Sequence, residues 1–490
     1  MSAHQSNGSE SSTNVPSAER IAQSLRKLVA SSAAGARLPS VRELMREHGS
    51  SPVTVQRAIT QLVREGRLQT RPGDGTFVVG SARVQQPLDT SWQSVALAAP
   101  LVTDSTFEAF FKVPGAGTLI LGSGYPDATL QPATLLEKAA QRAARQARTW
   151  ARLPVEGLPE LREWFAREVG ASAQAEQVLL VPGGQAALST LFRALVPFGG
   201  PLVVESPSYF GALGIARAFG LRVVPVPHDD EGIRPDLLRA ALASTGARVL
   251  YLQPAFSNPT GITLSPVRRK EVLEIVQSAN AFLIEDDYAR DLVVDGSPPV
   301  PLFREGGGHV IYVRSLTKST APGVRVGAII AEGPVLGRLK TARAIDDWFL
   351  SGLLQATALE LVTSPSFTGY VRKLNHALRD RRDRAVAALG QHLPDVRLAR
   401  IPSAGFSLWL ELPAMTDEAA LVQAALEAGV QINPGAAWFA AEPSGPHLRL
   451  SIAGAPSEML EEGVRRLGAT FRRLHGGASA GVDRPPRRRK

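Results

Sequence analysis

Cysteine is absent from all 490 residues, which excludes disulfides, thiolate nucleophiles and cysteine-bound metal centres. Zinc would have to rely on scattered histidines and carboxylates, so no metal site is expected. Long apolar runs are missing too. Nothing approaches the roughly 18 uninterrupted apolar residues of a membrane span. The opening MSAHQSNGSESSTNVPS lacks the basic and apolar regions of a signal peptide. A cytoplasmic protein with no membrane partner is therefore expected. Aromatic residues are few, at 6%, but hydrophobic residues reach 44%, which excludes wholesale disorder. A chain of 490 residues is too long for one small core and predicts two or three units, one of them large.

Excess acidity is also lacking: the net charge is +9, and it is unevenly placed. Residues 17–80 carry +5 and the last eight, DRPPRRRK, carry +4, whereas residues 81–482 carry only +1. Basicity at the ends of a chain suits nucleic acid, though charge alone is equally a solvated surface. Residues 1–16, rich in Ser, Asn and Gly, are expected to form a disordered arm, and residues 475–490 a disordered basic tail. Residues 81–116 read as a linker without clear periodicity, partly docked through Trp92, Phe107, Phe110 and Phe111.

From residue 17 the pattern is helical, with Ile21, Leu25, Leu28 and Val29 on one face. In RLPSVRELMREHG, Ser40 can cap a helix with Glu43 as its capping-box partner, Val41, Leu44 and Met45 face inward, and Gly49 ends it. SPVTVQRAITQLVREG gives the next helix, with Val55, Ile59, Leu62 and Val63 as the buried stripe and Thr54, Gln56 and Arg57 off it. This is helix-turn-helix spacing. RLQT and TFVV around RPGDG then predict a tight hairpin, a wing after the recognition helix. LPSVREL, TVQRA, EG and GTFV together resemble the winged helix-turn-helix of GntR-family regulators over residues 17–80. The resemblance implies that Arg42, Ser51, Thr54, Gln56 and Arg57 face double-stranded DNA, with Arg71 and Gly73 of the wing nearby. Arginine pairs with phosphate or bidentately with guanine, and N–H groups at a helix start favour phosphate oxygens. Pro52 departs from the pattern, where the family often carries Arg.

Beyond about residue 117, β-like runs alternate with helical stretches for about 350 residues, predicting an α/β fold with a mostly parallel sheet. Ligands of such sheets lie beyond the strand ends. VLLVPGGQAALSTLFRAL is a strand, a glycine turn and a helix, and the N–H groups of Gly184, Gln185 and Ala186 can cradle a phosphate there. Taken alone, such a turn is more often only a chain reversal. Tyr209 in ESPSYFG can stack on a flat ligand or sit in the core. Asn258 in NPTG offers an amide held in a turn to a phenolate oxygen. Asp286 in EDDY ends an apolar strand and can keep a pyridine nitrogen protonated, with Tyr288 in reach of a ring hydroxyl. SLTKSTAPGVRVG places Ser315 three residues before Lys318 and Arg325 seven after it. A lysine amine kept neutral forms a Schiff base with an aldehyde, while Ser and Arg bind phosphate. Arg449 in HLRLS has the planar fork that grips a carboxylate.

In this order the segments resemble the fold-type I aminotransferases, over about residues 117–474. The resemblance implies a domain that binds pyridoxal 5′-phosphate (PLP), with a mostly parallel seven-stranded sheet, a smaller C-terminal α/β domain from about residue 335, and a homodimer. It assigns Lys318 the aldimine, Asp286 the pyridine nitrogen, Asn258 and Tyr288 the ring oxygen, and Tyr209 ring stacking. Gly184, Gln185, Ser315 and Arg325 would hold the phosphate, and Arg449 an amino-acid carboxylate. One departure lies ahead of GLPELR. Trp150 or Arg152 stands near the tyrosine by which relatives reach the partner's cofactor phosphate, so Arg152 is a candidate replacement. A GntR-like reader joined to an aminotransferase-like body resembles the MocR subfamily. That likeness implies a regulator of metabolic genes that senses PLP, an amine or an amino acid through Lys318. An active aminotransferase with an appended DNA-binding domain is the alternative, and a cofactor-free dimerising scaffold is a third.

Overall fold

The computed structural model describes residues 17–79, 90–97, 115, 117–170 and 173–476. The expected arm 1–16, Phe107, Phe110 and Phe111 of the linker, and all but the first two residues of the expected tail lie outside the described residues. Trp92, the remaining aromatic of the linker, sits in the short helix Ser91–Ala96 and is exposed. The chain divides into two compact units, Met1–Ala99 and Pro100–Lys490.

The first unit opens with the helices Ser17–Ser31, Val41–His48 and Pro52–Arg64, followed by the antiparallel hairpin Leu68–Arg71 and Gly75–Val78. The capping box forms as the sequence dictates: the Ser40 N–H donates to Glu43 Oε2 at 2.7 Å, and the Glu43 N–H to Ser40 Oγ at 3.3 Å. Gly49, at φ 59°, takes the left-handed turn that ends this helix. The core joins Ile21, Ala22 and Leu25 to Leu44, Val55, Ala58, Ile59 and Leu62, with Leu68 and Val78 of the hairpin. Leu28 and Val63, expected on the buried stripes, are instead exposed. At about 100° per residue, Leu28 lies roughly 60° off Leu25 on the side away from Val29, and alanines at 22 and 58 complete the narrow stripes.

The second unit centres on an eight-stranded sheet. Its spatial order is Val178–Val181, Gly327–Ile330, Val310–Ser315, Phe282–Asp286, Val249–Leu252, Pro201–Ser206, Arg222–Asp229 and Gly232–Ile233. Gly327–Ile330 runs antiparallel to both neighbours, and the two-residue Gly232–Ile233 folds back on its predecessor. The other pairings are parallel, so seven strands form the expected mostly parallel sheet and one short return is added. Val178–Val181, Val249–Leu252 and Gly327–Ile330 are unbroken apolar runs because both faces are covered. Val178, Leu180, Leu250 and Leu252 enter one cluster, while Leu179, Val181, Val249 and Tyr251 enter the other.

A further cluster surrounds a four-stranded antiparallel sheet of Arg397–Leu398, Ser407–Glu411, His447–Ser451 and Asn433–Pro434, against the long helices Pro365–His392 and Ser457–Gly476. Leu119 and Leu121 join it, and Leu119–Ile120 pairs with Val430–Gln431. Val335 and Leu339 pack with the large sheet, and Gly352–Val362 does likewise. Leu374 and Leu378 of Pro365–His392 lie in the cluster of the smaller sheet. Helical periodicity marks a helix but not the face against which it docks.

Candidate functional site

Five strands of the large sheet end at residues singled out above. Val178–Val181 leads to Gly183 and Gly184, Pro201–Ser206 to Tyr209, and Val249–Leu252 to Asn258, while Phe282–Asp286 ends on Asp286 and Val310–Ser315 on Ser315. Carboxyl ends of parallel strands share one edge, so residues far apart in sequence meet there.

Lys318 is half-buried. Its Nζ donates to the Gly124 carbonyl at 2.8 Å and lies 3.9 Å from the centre of the Tyr125 ring. Enclosure, then the positive Arg449 and Arg325, push its amine down to about 7, with Asp286 opposing them. Asp286 is buried, and its Oδ2 accepts from Tyr251 Oη and from Gln253 Nε2, each at 2.8 Å. Burial raises the affinity of this carboxyl for a proton, and the two donors oppose that rise.

Arg449 is buried in the adjoining four-stranded sheet. Its Nε donates to Ser407 Oγ at 2.9 Å and to Asn258 Oδ1 at 3.2 Å, and Nη1 to the Gly122 carbonyl at 3.3 Å. Ser407 Oγ also donates to Asn258 Oδ1, at 3.2 Å. Tyr288 is half-buried, with its hydroxyl 2.7 Å from where a Cβ on Gly405 would stand. Burial pushes its phenol up, and Arg449 opposes that.

At the glycine turn, Gly183 has φ 88° and ψ 175°, and a Cβ there would lie 3.2 Å from the Arg325 guanidinium. Only glycine readily takes that conformation, so the turn and the arginine are fitted to each other. Arg325 Nη2 donates to the Pro182 carbonyl at 2.8 Å. A Cβ on Gly184 would stand 4.0 Å from the Ser315 Cβ, and Ser315 Oγ donates to Thr317 Oγ1 at 2.9 Å. Tyr209 Oη donates to Gln185 Oε1 at 3.0 Å. Ala186 follows in the first turn of the helix Gly184–Leu195. The sequence offered no local sign of Tyr125, Gly122, Gln253 or Ser407. Their partners lie far along the chain.

In the first unit, Ser51 caps the helix Pro52–Arg64: its Oγ accepts from the Thr54 N–H at 3.3 Å and lies 2.8 Å from Thr54 Oγ1. Arg42, Gln56 and Arg57 are exposed. An open groove of about 760 Å³ brings Gln56 and Arg57 together with Val41, Pro52, Val53 and Arg64. In the hairpin, the Arg71 guanidinium lies 4.6 Å from the centre of the Phe77 ring and 4.0 Å from Asp74, and Gly73 turns at φ 77°.

Residues 17–78 match the bacterial regulatory proteins of the gntR family, and residues 117–467 match aminotransferase class I and II. The chain is 29% identical over 448 residues to the uncharacterized HTH-type transcriptional regulator YdfD of Bacillus subtilis, covering 90% of this chain and 92% of that protein. It is 27% identical to the probable rhizopine catabolism regulatory protein MocR of Rhizobium meliloti, covering 92% of each. It is also 33% identical to 2-aminoadipate transaminase of Thermus thermophilus, over 78% of this chain and 98% of that one. Among solved structures, the α-aminoadipate aminotransferase LysN of Thermus thermophilus, complexed with N-(5′-phosphopyridoxyl)-L-leucine, aligns with a TM-score of 0.73. That alignment has 31% identity and covers 78% of this chain and 99% of that chain.

Proposed function

The chain belongs to the aminotransferase class I and II family and, with a gntR-family reader ahead of that body, to the MocR type of transcription regulator; from this premise we propose that it binds operator DNA and reports, through PLP held at Lys318, the supply of PLP or of an amine or amino acid to metabolic genes. The observation that carries the reading is the convergence of Lys318 and Arg449 on one loop, at the carbonyls of Gly124 and Gly122, in a chain that also has a DNA reader.

The residues present fit the cofactor. Gly183 turns where a side chain would crowd Arg325, and a buried carboxylate, a lysine amine and two further cations share one site. When bound, PLP supplies an electrophilic aldehyde carbon and an electron-withdrawing ring. In this reading Lys318 provides the nucleophilic amine, and Asp286 holds a proton on the ring nitrogen. Asn258 and Tyr288 bind the ring oxygen, and Tyr209 packs on the ring. Gly184, Gln185, Ala186, Ser315 and Arg325 hold the phosphate, and Arg449 receives a carboxylate. Lys318 and Arg449 both donate to carbonyls of the same loop, at Gly124 and Gly122. A ligand that engages them competes with those bonds, which supports a coupling of occupancy to conformation.

On DNA, Arg42, Gln56, Arg57 and Arg71 meet phosphates or base edges, with Gly73 letting the wing approach closely. Ser51 and Thr54 shape the helix start that faces phosphate. The body forms a homodimer. This is supported by a neighbourhood of exposed apolar residues, Trp150, Ile345 and Trp348, with Arg152 placed 5.5 Å over the Trp348 ring.

The test is operator binding, footprint and transcription with PLP, with and without candidate amines, in the wild type and Lys318→Ala. The wild type should respond and the variant should not; an indifferent wild type overturns the reading. A second reading, turnover of an amino acid with a keto acid, is supported by the likeness to 2-aminoadipate transaminase. Steady turnover by the purified protein would favour it.

A further inference from the structure

Gln253 follows the strand Val249–Leu252 and has no part in the roles assigned so far. It is 2% exposed, so every polar atom it buries needs a partner. Its Oε1 accepts from the Asn258 backbone N–H at 2.9 Å. Its Nε2 donates to Asp286 Oδ2 at 2.8 Å, and its own backbone N–H donates to Glu205 Oε1 at 3.0 Å. The first bond fixes the amide's orientation, because a backbone N–H can be met only by the oxygen end. The nitrogen end is then obliged to face Asp286.

We propose that Gln253 is the positioning residue of the cofactor pocket. One buried amide sets the Asp286 carboxylate against the Asn258 turn and holds Asp286 Oδ2 as an acceptor, leaving Oδ1 to meet the ring nitrogen of PLP. The inference rests on the reading of Lys318 and Asp286 given above. Two donors on one oxygen, Gln253 Nε2 and Tyr251 Oη, favour the ionised carboxylate that a protonated pyridine requires. The other ionisable groups around Asp286 are Asp287, which opposes its ionisation, Lys318, which favours it, and Glu205, Tyr209 and Tyr288, whose own ionisation its charge disfavours. Glu205 lies behind Gln253, and burial raises its carboxyl to about 8. Deep enclosure therefore works against charge at this end of the sheet, and the amide helps Asp286 to keep it. Without Gln253 the strand end has a buried carboxylate short of one donor, and the Asn258 turn loses its anchor.

The experiment compares wild type, Gln253→Met, Tyr251→Phe, Asp286→Asn and the double variant Gln253→Met/Asp286→Asn, each titrated with PLP. The readouts are the visible absorbance of the loaded protein, its pH titration and the PLP dissociation constant. Methionine keeps the volume and removes both amide functions, and Tyr251→Phe removes the other donor by a single atom. Each should weaken PLP binding about tenfold or more, the cost of one hydrogen bond to a charged group, and shift the pH midpoint of the band. In the Asp286→Asn background, Gln253→Met should add far less than it does alone, because the two act through one contact. Wild-type affinity, band and titration in both Gln253→Met and Tyr251→Phe would overturn the proposal, as would full additivity in the double variant. If the wild type itself takes up no PLP, the reading of the site fails rather than the role of Gln253.

Discussion

At the scale of the residue, the proposed function gives Lys318 the chemistry because its surroundings would make an ordinary amine reactive. A solvated lysine is protonated at neutral pH, and only the neutral amine attacks an aldehyde. Enclosure and the neighbouring Arg449 and Arg325 bring this amine down to about 7. The rate at which the apoprotein captures PLP should therefore rise with pH, with a midpoint about 7, and level off above it. Stopped-flow absorbance across a pH series checks this. A rate still climbing steeply near the ordinary lysine value would mean that the amine is not enclosed as described. Lys318→Ala should abolish the visible band, and borohydride reduction followed by mass spectrometry should find the pyridoxyl mass on Lys318 in the wild type alone.

At the scale of the element, the glycine turn and the helix Pro52–Arg64 form the start of a helix by different means. Gly183 lies in a region of backbone space almost reserved for glycine, hard against Arg325. Gly183→Ala should cost roughly 1–3 kcal/mol of stability and weaken PLP binding, as read by urea unfolding and by titration. Ser51 caps the recognition helix. Ser51→Ala should lose about 1 kcal/mol of reader stability. Ser51→Asp should keep the cap yet weaken DNA binding, because a carboxylate there opposes phosphate. Equal DNA affinity in Ser51→Asp and wild type would remove this helix start from the interface. The elements themselves were largely legible, because Ser40 with Glu43, the stripe through Val55, Ile59 and Leu62, and apolar runs such as VLLV obey local rules. The site was legible where chemistry gathers in one segment, as in SLTKSTAPGVRVG. It was not legible at Gln253, which bridges Glu205 and Asp286, 48 and 33 positions away, and an amide ending an apolar strand has no local mark. Nor was the sheet on which Val335 and Leu339 pack, since both obey helical periodicity whichever sheet they cover.

At the scale of the whole molecule, the question is how a reader of about 60 residues achieves selectivity with little interface of its own. A single helix-turn-helix unit is a small module, and such readers gain affinity by binding two half-sites through a dimer. In the proposed function the body is the part that pairs, and Trp150, 67% exposed, Ile345, 77%, and Trp348, 62%, are its candidate contacts. Placing charge there separates pairing from folding, because Ile345 is exposed and its replacement leaves the cores intact. Ile345→Asp should therefore keep its unfolding midpoint and its uptake of PLP, yet sediment with a larger monomer fraction. Operator affinity should fall about a hundredfold, the range that linking two modules contributes, while binding to a single half-site stays as in wild type. The salt dependence of operator binding should fall with it, since half as many phosphates are neutralised per bound protein. A variant that sediments as the wild type and binds the operator with the same affinity and salt slope would place the pairing surface elsewhere on the body.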